Sequence, residues 1–310
     1  MPETPPRIAV VGGTGFAGHN VRLELEEAGM TVGIFARTTG CDLLDLPTAW
    51  SKLNEFRPHY VVNCAALVGS VNYVTDFAAD VVDVNMRLVL NTYKIAQQLR
   101  DVIVINPIAN CGYPGNMDTY EERRFWDGPI HPSVLSYGST RRMMWVLSKC
   151  YFDQYGVRSA NLIVPNMYGP FDSTNPNKTH ALNALIIKFV RAVKEDLPEI
   201  EVWGTGKPIR EWLFARDFAR VVRRVVEARE VFLEPVNIGQ DQGYSVDDLV
   251  DELRRQTGFS GAIRHNTLYP DGTPKKVMDD QYFRQRFPDF SFTKLESGIA
   301  QTIAHYRAIL

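Results

Sequence analysis

The chain has 310 residues, 45% hydrophobic and 23% charged, with a formal net charge of -2 at pH 7, which is globular composition and enough length for one nucleotide-binding unit with a smaller lobe. Its lysines and arginines are scattered, so it lacks the basic footprint of a nucleic-acid binder. No apolar run reaches the ~18 residues of a membrane span, and Met1 to Pro6 has neither the basic nor the apolar region of a signal peptide, so a cytoplasmic protein is expected.

From Arg7 to Gly18 the sequence reads R-I-A-V-V-G-G-T-G-F-A-G. Four apolar residues run into Gly12, Gly15 and Gly18, and an amphipathic helix pattern follows from about Asn20 to Ala28. That is strand, turn and helix in the order a dinucleotide pyrophosphate requires: glycines for the sharp turn and close approach, then a helix N-terminus for the phosphates.

Thr31 to Phe35 is the second strand. Just past it stand Ala36, Arg37 and Thr38, with no acid to bond a ribose 2′-hydroxyl and an arginine to receive a 2′-phosphate, which favours NADP(H) over NAD. C-D-L-L-D at Cys41 to Asp45 leads into a helix ending near Phe56. Tyr60 to Ala66 is a third buried strand closing in small residues, Ala65 and Ala66, that let a cofactor come close.

A long helix covers about Asp80 to Leu99, Val102 to Ile105 is a fourth strand, and Asn106 to Asn116 is a loop. Glu121 to Arg124, E-E-R-R, reads as a solvated charge cluster. A helix from near Ser136 to Tyr155 and a strand from Ser159 to Val164 follow. Past Pro165 come P-N-M-Y-G-P, a polar loop, and a helix from about Thr179 to Lys194.

Trp203 to Trp212 has the look of a hairpin-style turn between short strands, Asp217 to Glu227 is a helix, and Val236 to Gly239 a short strand. Ser245 caps a helix to Gln256, and the tail from Phe292 to Leu310 is mostly helical. The alternation predicts an α/β fold, a Rossmann-type doubly wound parallel sheet with a smaller C-terminal α/β substrate lobe. The lobes interleave, with 1–165 and 214–241 holding the cofactor and 166–213 and 242–310 holding the substrate.

The four cysteines, Cys41, Cys64, Cys111 and Cys150, show no zinc spacing, and no metal is expected. Cys64 and Cys150, in apolar surroundings, read as buried small hydrophobes.

The motifs G-G-T-G-F-A-G, D-L-L-D at Asp42 to Asp45, Ser136-Tyr137 before a helix, P-N-M-Y-G-P and V-N-I-G make the chain resemble the extended short-chain dehydrogenases acting on nucleotide sugars. It is most similar to the GDP-L-fucose synthase group, which epimerises GDP-4-keto-6-deoxymannose at C3 and C5 and reduces C4. That likeness rests on A-A-L-V-G-S at Ala65, C-G-Y-P at Cys111, T-H-A-L-N-A-L at Thr179, V-W-G-T-G-K-P-I-R-E-W at Val202 and P-D-G-T-P-K-K at Pro270.

The resemblance implies that Cys111 and His180 move the protons at C3 and C5, which the 4-keto group acidifies, since a thiol and an imidazole both exchange protons near neutral pH. It implies cofactor contacts at Phe16, Asp42, Leu43, Pro165 and His180 besides the residues above. For reduction it assigns Tyr137, whose activating lysine is here Arg141 and whose serine partner is Ala109. Arginine keeps the charge with a different reach, alanine has no hydroxyl for the keto oxygen, and Asn110 is the neighbouring substitute donor.

Asn166, Lys188, Trp203, Arg210 and Lys276 are implied around the sugar, base and diphosphate of a GDP-linked sugar, with Lys188 where the group commonly has arginine. Three functions follow: an epimerase of a GDP-4-keto sugar with weak or absent C4 reduction, a complete epimerase-reductase, or a non-catalytic NADP and nucleotide-sugar binder. The resemblance also implies a homodimer through the helices near Asp80 to Leu99 and Ser136 to Tyr155.

Overall fold

The computed structural model describes residues 5–269 and 271–310. Met1 to Thr4, in the segment inspected above for a leader, and Pro270, which opens the P-D-G-T-P-K-K motif, lie outside the described residues. In chain order the first half comprises β1 (Arg7–Val11), α1 (Phe16–Glu27), β2 (Thr31–Phe35), α2 (Leu46–Phe56), β3 (Tyr60–Asn63), α3 (Val71–Asp76), α4 (Ala78–Leu99), β4 (Ile103–Ala109), β5 (Thr119–Tyr120), α5 (Leu135–Tyr155) and β6 (Arg158–Val164).

The second half comprises β7 (Asn166–Tyr168), α6 (Ala181–Lys194), β8 (Glu199–Trp203), β9 (Ile209–Arg210), β10 (Trp212–Phe214), α7 (Ala215–Ala228), β11 (Phe232–Asn237), β12 (Tyr244–Ser245), α8 (Val246–Thr257), β13 (Ala262–Asn266), β14 (Lys275–Met278), α9 (Gln281–Arg286) and α10 (Leu295–Ile309).

Six strands form one parallel sheet in the order β11-β6-β4-β3-β1-β2. The strand order reverses its direction of winding between β1 and β3, where doubly wound sheets bind ligands beyond the strand C-termini. Parallel strands covered on both faces must be apolar throughout, and Ile8 to Val11 are all fully buried. One face packs Ile8, Val10, Val62 and Leu162 against α1 and α7, and the other packs Ala9, Val11 and Val61 against α2 and α4. A separate cluster, with Ile186, Phe189, Leu253 and Ile299, binds α6, α8 and α10 together.

Several expectations need correction. The third strand ends at Asn63, not Ala66, because Gly12 crosses its end and occupies the space beside Ala65. The fourth strand runs on to Ala109 through Pro107; beyond Ile105 it pairs with β6 alone, so the missing N–H has one less neighbour to satisfy. Ser70 caps an extra helix, α3, ahead of α4.

Glu122 is not a solvated charge. It is 8% exposed and its Oε1 accepts the Asn237 N–H at 2.8 Å, while Glu121, Arg123 and Arg124 form the surface pairs. No hairpin joins Trp203 to Trp212 either: β8 pairs with β13, whereas β9 pairs with β12 and β14. Gly204 and Gly206, both with positive φ, carry the chain between the two small sheets. Cys150 is exposed on α5 rather than buried; Cys64 is half-buried against the main core, and burial pushes its thiol up to about 12.

Candidate active site

Gly12 leaves β1 at φ +72°, a conformation side chains rarely adopt, and a Cβ there would stand 2.6 Å from the Ala65 nitrogen. A Cβ on Gly18 would collide with the Gly12 carbonyl. Gly15 caps α1 with no side-chain hydrogen bond, and the first turn holds no acid. No side chain competes for the positive helix end, so this backbone-walled cradle fits a pyrophosphate.

Arg37 is exposed at the start of a short 3-10 turn just past β2, and the neighbouring Thr38 hydroxyl bonds that of Thr14 at 2.9 Å. Asp42 turns inward on its own loop, its Oδ1 accepting the Leu44 N–H at 2.9 Å. The Leu43 carbonyl accepts from Asn91 Nδ2 at 2.7 Å. Ala65 and Ala66 line the step from β3, and Pro165 is buried between β6 and β7.

Cys111 lies in the 3-10 turn Asn110–Gly112 that ends β4, directly under α5, where a Cβ on Gly138 would come within 2.6 Å of its carbonyl oxygen. Burial pushes the thiol up to about 11, against the pull of the Lys276 and Arg141 charges. It rests protonated at neutral pH, and the two cations lower the cost of losing that proton. Burial likewise lifts the Tyr137 hydroxyl above its ordinary range, with Arg141 opposing and Cys111 reinforcing.

Arg141 is 2% exposed, and its guanidinium carbon lies 4.6 Å from the centre of the Tyr137 ring, on the ring face. Its Nη2 donates to Asn85 Oδ1 at 3.1 Å, and Asn85 holds both backbone groups of Leu67, at 3.1 and 2.8 Å. Arg141 is thus pinned to the loop carrying Ala65 and Ala66. Ala109 closes β4 with no hydroxyl, and the Asn110 amide nitrogen is buried without a hydrogen-bond partner among the described residues.

His180 directly precedes α6. Its ring packs at 5.0 Å on Phe16, the first residue of α1, which ties it to the glycine turn. Its Nδ1 and its backbone N–H both reach Asp172 Oδ2, at 3.1 and 2.8 Å. The loop between β7 and α6 also rests on the Ala65 to Ser70 segment through the Ser70 N–H to the Asn177 carbonyl at 3.0 Å. His180 is thus carried by a loop that leans on the Ala65 to Ser70 segment, and Asn85 joins that segment to Arg141 and, through it, to the Tyr137 ring.

At the far end, β9 and β14 lie side by side with Arg210 opposite Lys276, and the end of β14 pairs with β5. Arg210 donates to the carbonyls of Ile209 and Asp271, at 2.8 and 3.1 Å, and burial lowers the Lys276 ammonium, which the nearby thiol partly restores. Trp203 is 52% exposed, stacked on Tyr269 with centroids 4.2 Å apart, and Lys188 Nζ lies 5.5 Å over its ring. Asn166 Nδ2 donates to the Glu211 carbonyl at 3.3 Å beside the same strands.

Sequence reasoning missed Asp172, Asn85, Glu211 and Tyr269. A signal existed for Asn85, a polar residue on the apolar stripe of α4 with Val81, Leu88 and Val89. None existed for Asp172, which meets His180 only because the loop between them folds back. Among the described residues no group of three His, Cys, Asp or Glu side chains could hold a metal, and no helix is long and apolar enough to cross a membrane.

A doubly wound sheet with a glycine-lined switch point, a Tyr-x-x-x-Arg pair on α5 and a separate hydrophobic cluster around α6, α8 and α10 define an extended dinucleotide-binding α/β protein. The chain belongs to the NAD dependent epimerase/dehydratase family, whose model matches residues 8–239.

It is 26% identical over 313 residues to the GDP-L-fucose synthase of Dictyostelium discoideum, covering 97% of this chain and 96% of that protein. The GDP-L-fucose synthase of Escherichia coli (strain K12) is 27% identical over 305 residues, covering 96% and 95%. Among solved structures, a GDP-L-fucose synthetase from Naegleria fowleri bound to NADP superposes with a TM-score of 0.87 at 23% identity, covering 98% of this chain and 95% of that one. A GDP-mannoheptose C4 reductase from Campylobacter jejuni with NADP bound gives 0.85 at 23%, covering 99% and 100%.

Proposed function

We propose that this protein binds NADP(H) and a GDP-linked 4-keto sugar, and epimerises the sugar at C3, C5 or both with weak or absent reduction at C4. The observation that carries the reading is the Cys111 cluster. A thiol flanked by Lys276 and Arg141 and packed under α5 retains proton-transfer chemistry, while the groups that serve hydride transfer have changed, with Ala109 offering no hydroxyl and Arg141 standing in the lysine's place over the tyrosine ring. The GDP-L-fucose synthase relatives and the NADP-bound neighbours support the substrate and cofactor classes.

The 4-keto group makes the C3 and C5 protons removable, because the carbanion is delocalised as an enolate. Cys111 and His180 serve as the two proton-transfer groups on opposite sides of the ring. Arg210 and Lys276, side by side on adjacent strands, hold the diphosphate, with the base against Trp203. Bound NADPH supplies the hydride for any reduction of C4. Tyr137, kept protonated by burial, donates to the C4 oxygen.

A complete epimerase-reductase is the second reading, favoured by the relatives' names and by the retained tyrosine and cation. Incubation with GDP-4-keto-6-deoxymannose and NADPH in heavy water separates the two. Deuterium at C3 or C5 with little absorbance change at 340 nm supports the first. NADPH oxidation at dehydrogenase rates of about 1–10³ per second establishes the second, and neither signal would mean a non-catalytic binder. The homodimer belongs to the same proposal: Val82 and Met143 leave exposed apolar surface on α4 and α5, and light scattering should give twice the monomer mass.

A further inference from the structure

We infer that Asp172 is a positioning residue that locks His180 in the tautomer carrying its proton on Nδ1 and turns Nε2 toward the sugar; this rests on the reading of His180 as a proton-transfer group. The geometry is closed on every side. Asp172 is 7% exposed, and its Oδ2 accepts from the His180 N–H at 2.8 Å, from His180 Nδ1 at 3.1 Å and from Asn183 Nδ2 at 2.8 Å. Its Oδ1 accepts the Ser173 N–H at 2.9 Å.

An ionised carboxylate has no proton to give, so the imidazole nitrogen facing it must be the donor. Burial alone would raise the Asp172 carboxyl, but the hydrogen bonds and charge of His180, with Asn183, hold it below the usual aspartate range. The carboxylate is therefore ionised throughout the range in which histidine titrates. When His180 takes a proton on Nε2, a positive ring forms beside a fixed negative charge; when it gives the proton up, Nε2 recovers its lone pair without the ring turning over.

The loop is fastened to resist such turning. Gly169 N–H donates to Asn183 Oδ1 at 3.0 Å, the Pro170 carbonyl accepts from Asn20 Nδ2 at 3.1 Å, and Tyr306 on α10 donates to the Asp172 carbonyl at 3.3 Å. Phe171, at φ +73°, donates its N–H to His305 Nε2 at 3.2 Å and stacks on His19. Titratable neighbours therefore reach the loop from α1 (His19) and α10 (His305 and Tyr306). Burial lowers both histidines below the ordinary range, so they charge at more acid pH, and burial raises Tyr306 beyond reach.

A mere loop clasp would need Asp172 only for its backbone hydrogen bonds, from the His180 N–H to Oδ2 and the Ser173 N–H to Oδ1, of which asparagine with its single carbonyl oxygen keeps one. The test is nitrogen-15 NMR of His180 in the full-length protein, assigned by its loss in H180N, together with pD profiles of deuterium uptake into GDP-4-keto-6-deoxymannose. In the wild type, His180 should be the Nδ1–H tautomer. In D172N that tautomer preference should be lost and the shape of the pD profile should change, with uptake at the His180-dependent carbon down about 10- to 10²-fold.

D172E should restore the tautomer in part. An Nε2–H or mixed tautomer in the wild type would overturn the inference even if D172N failed to fold, and so would a folded D172N with an unchanged profile. Separately, H180N that exchanged both carbons normally would sink the acid–base reading of His180 while leaving the tautomer result standing.

Discussion

Replacing Ala109 with serine should awaken reduction at C4, and the size of the gain follows from what the site still has. With the Arg141 guanidinium 4.6 Å above the Tyr137 ring centre, its charge lies roughly 5 Å from the phenolic oxygen, worth about 3 kcal/mol at an effective dielectric near 20. That charge opposes the upward push of burial on the phenol, much as a lysine ammonium would. The cation is thus present; a donor for the keto oxygen is what position 109 lacks. One such donor is worth about 10²–10³-fold in rate. A109S should therefore raise NADPH oxidation, followed at 340 nm with GDP-4-keto-6-deoxymannose, by about 10²-fold. R141K alone, which conserves charge, should gain less than about tenfold. Deuterium uptake at C3 and C5 should hold steady in both. Should A109S stay within twofold of wild type, or R141K give the larger gain, the missing hydroxyl is not what limits hydride transfer.

Removing the cation that pulls hardest on the thiol should raise Cys111 further above about 11, so K276M in a C150S background should alkylate Cys111 more slowly at pH 9; equal rates would disconnect the two groups. Burial holds the Glu211 carboxyl up at about 8, against the N–H donors of Gln240 and Met278 at 2.5 and 2.8 Å. The folded state keeps that proton while the unfolded chain loses it near pH 4.5, so stability should fall as pH rises from about 4.5 to 8 and level off above. Thermal melts of E211Q, which cannot ionise, should lack that part of the slope. W203A should weaken GDP binding by calorimetry about 10- to 10²-fold, the worth of one base–aromatic stack, and an unchanged affinity would place the base elsewhere. G12A should lose NADP binding, since its Cβ has nowhere to go beside Ala65.

Much of the architecture could be read along the chain because it depends on local repetition. The all-apolar run Ile8 to Val11, the glycine spacing and the capping serine at Ser245, confirmed by its bond from the Asp248 N–H at 3.1 Å, are short-range signals. The same holds for Arg37, whose place after β2 is fixed by sequence neighbours alone.

What the sequence could not carry is any relation between residues brought together by loops. Glu122 looked like one member of a charged run, yet the fold carries Asn237 to it and takes it out of water. Trp203 and Trp212 suggested one hairpin, yet long-range pairing sends their strands to different sheets, Trp203 beside β13 and Trp212 beside β7. Residue types at positions 109 and 141 announced a site that departs from the pattern the resemblance implies. Only the tertiary structure decided how: Arg141 lies over the tyrosine ring, held by an asparagine from another helix, and His180 leans on an aspartate eight residues back. Periodicity encodes which face a residue takes, whereas a hydrogen bond across a loop is set by where the backbone returns, and that is a property of the whole packed chain.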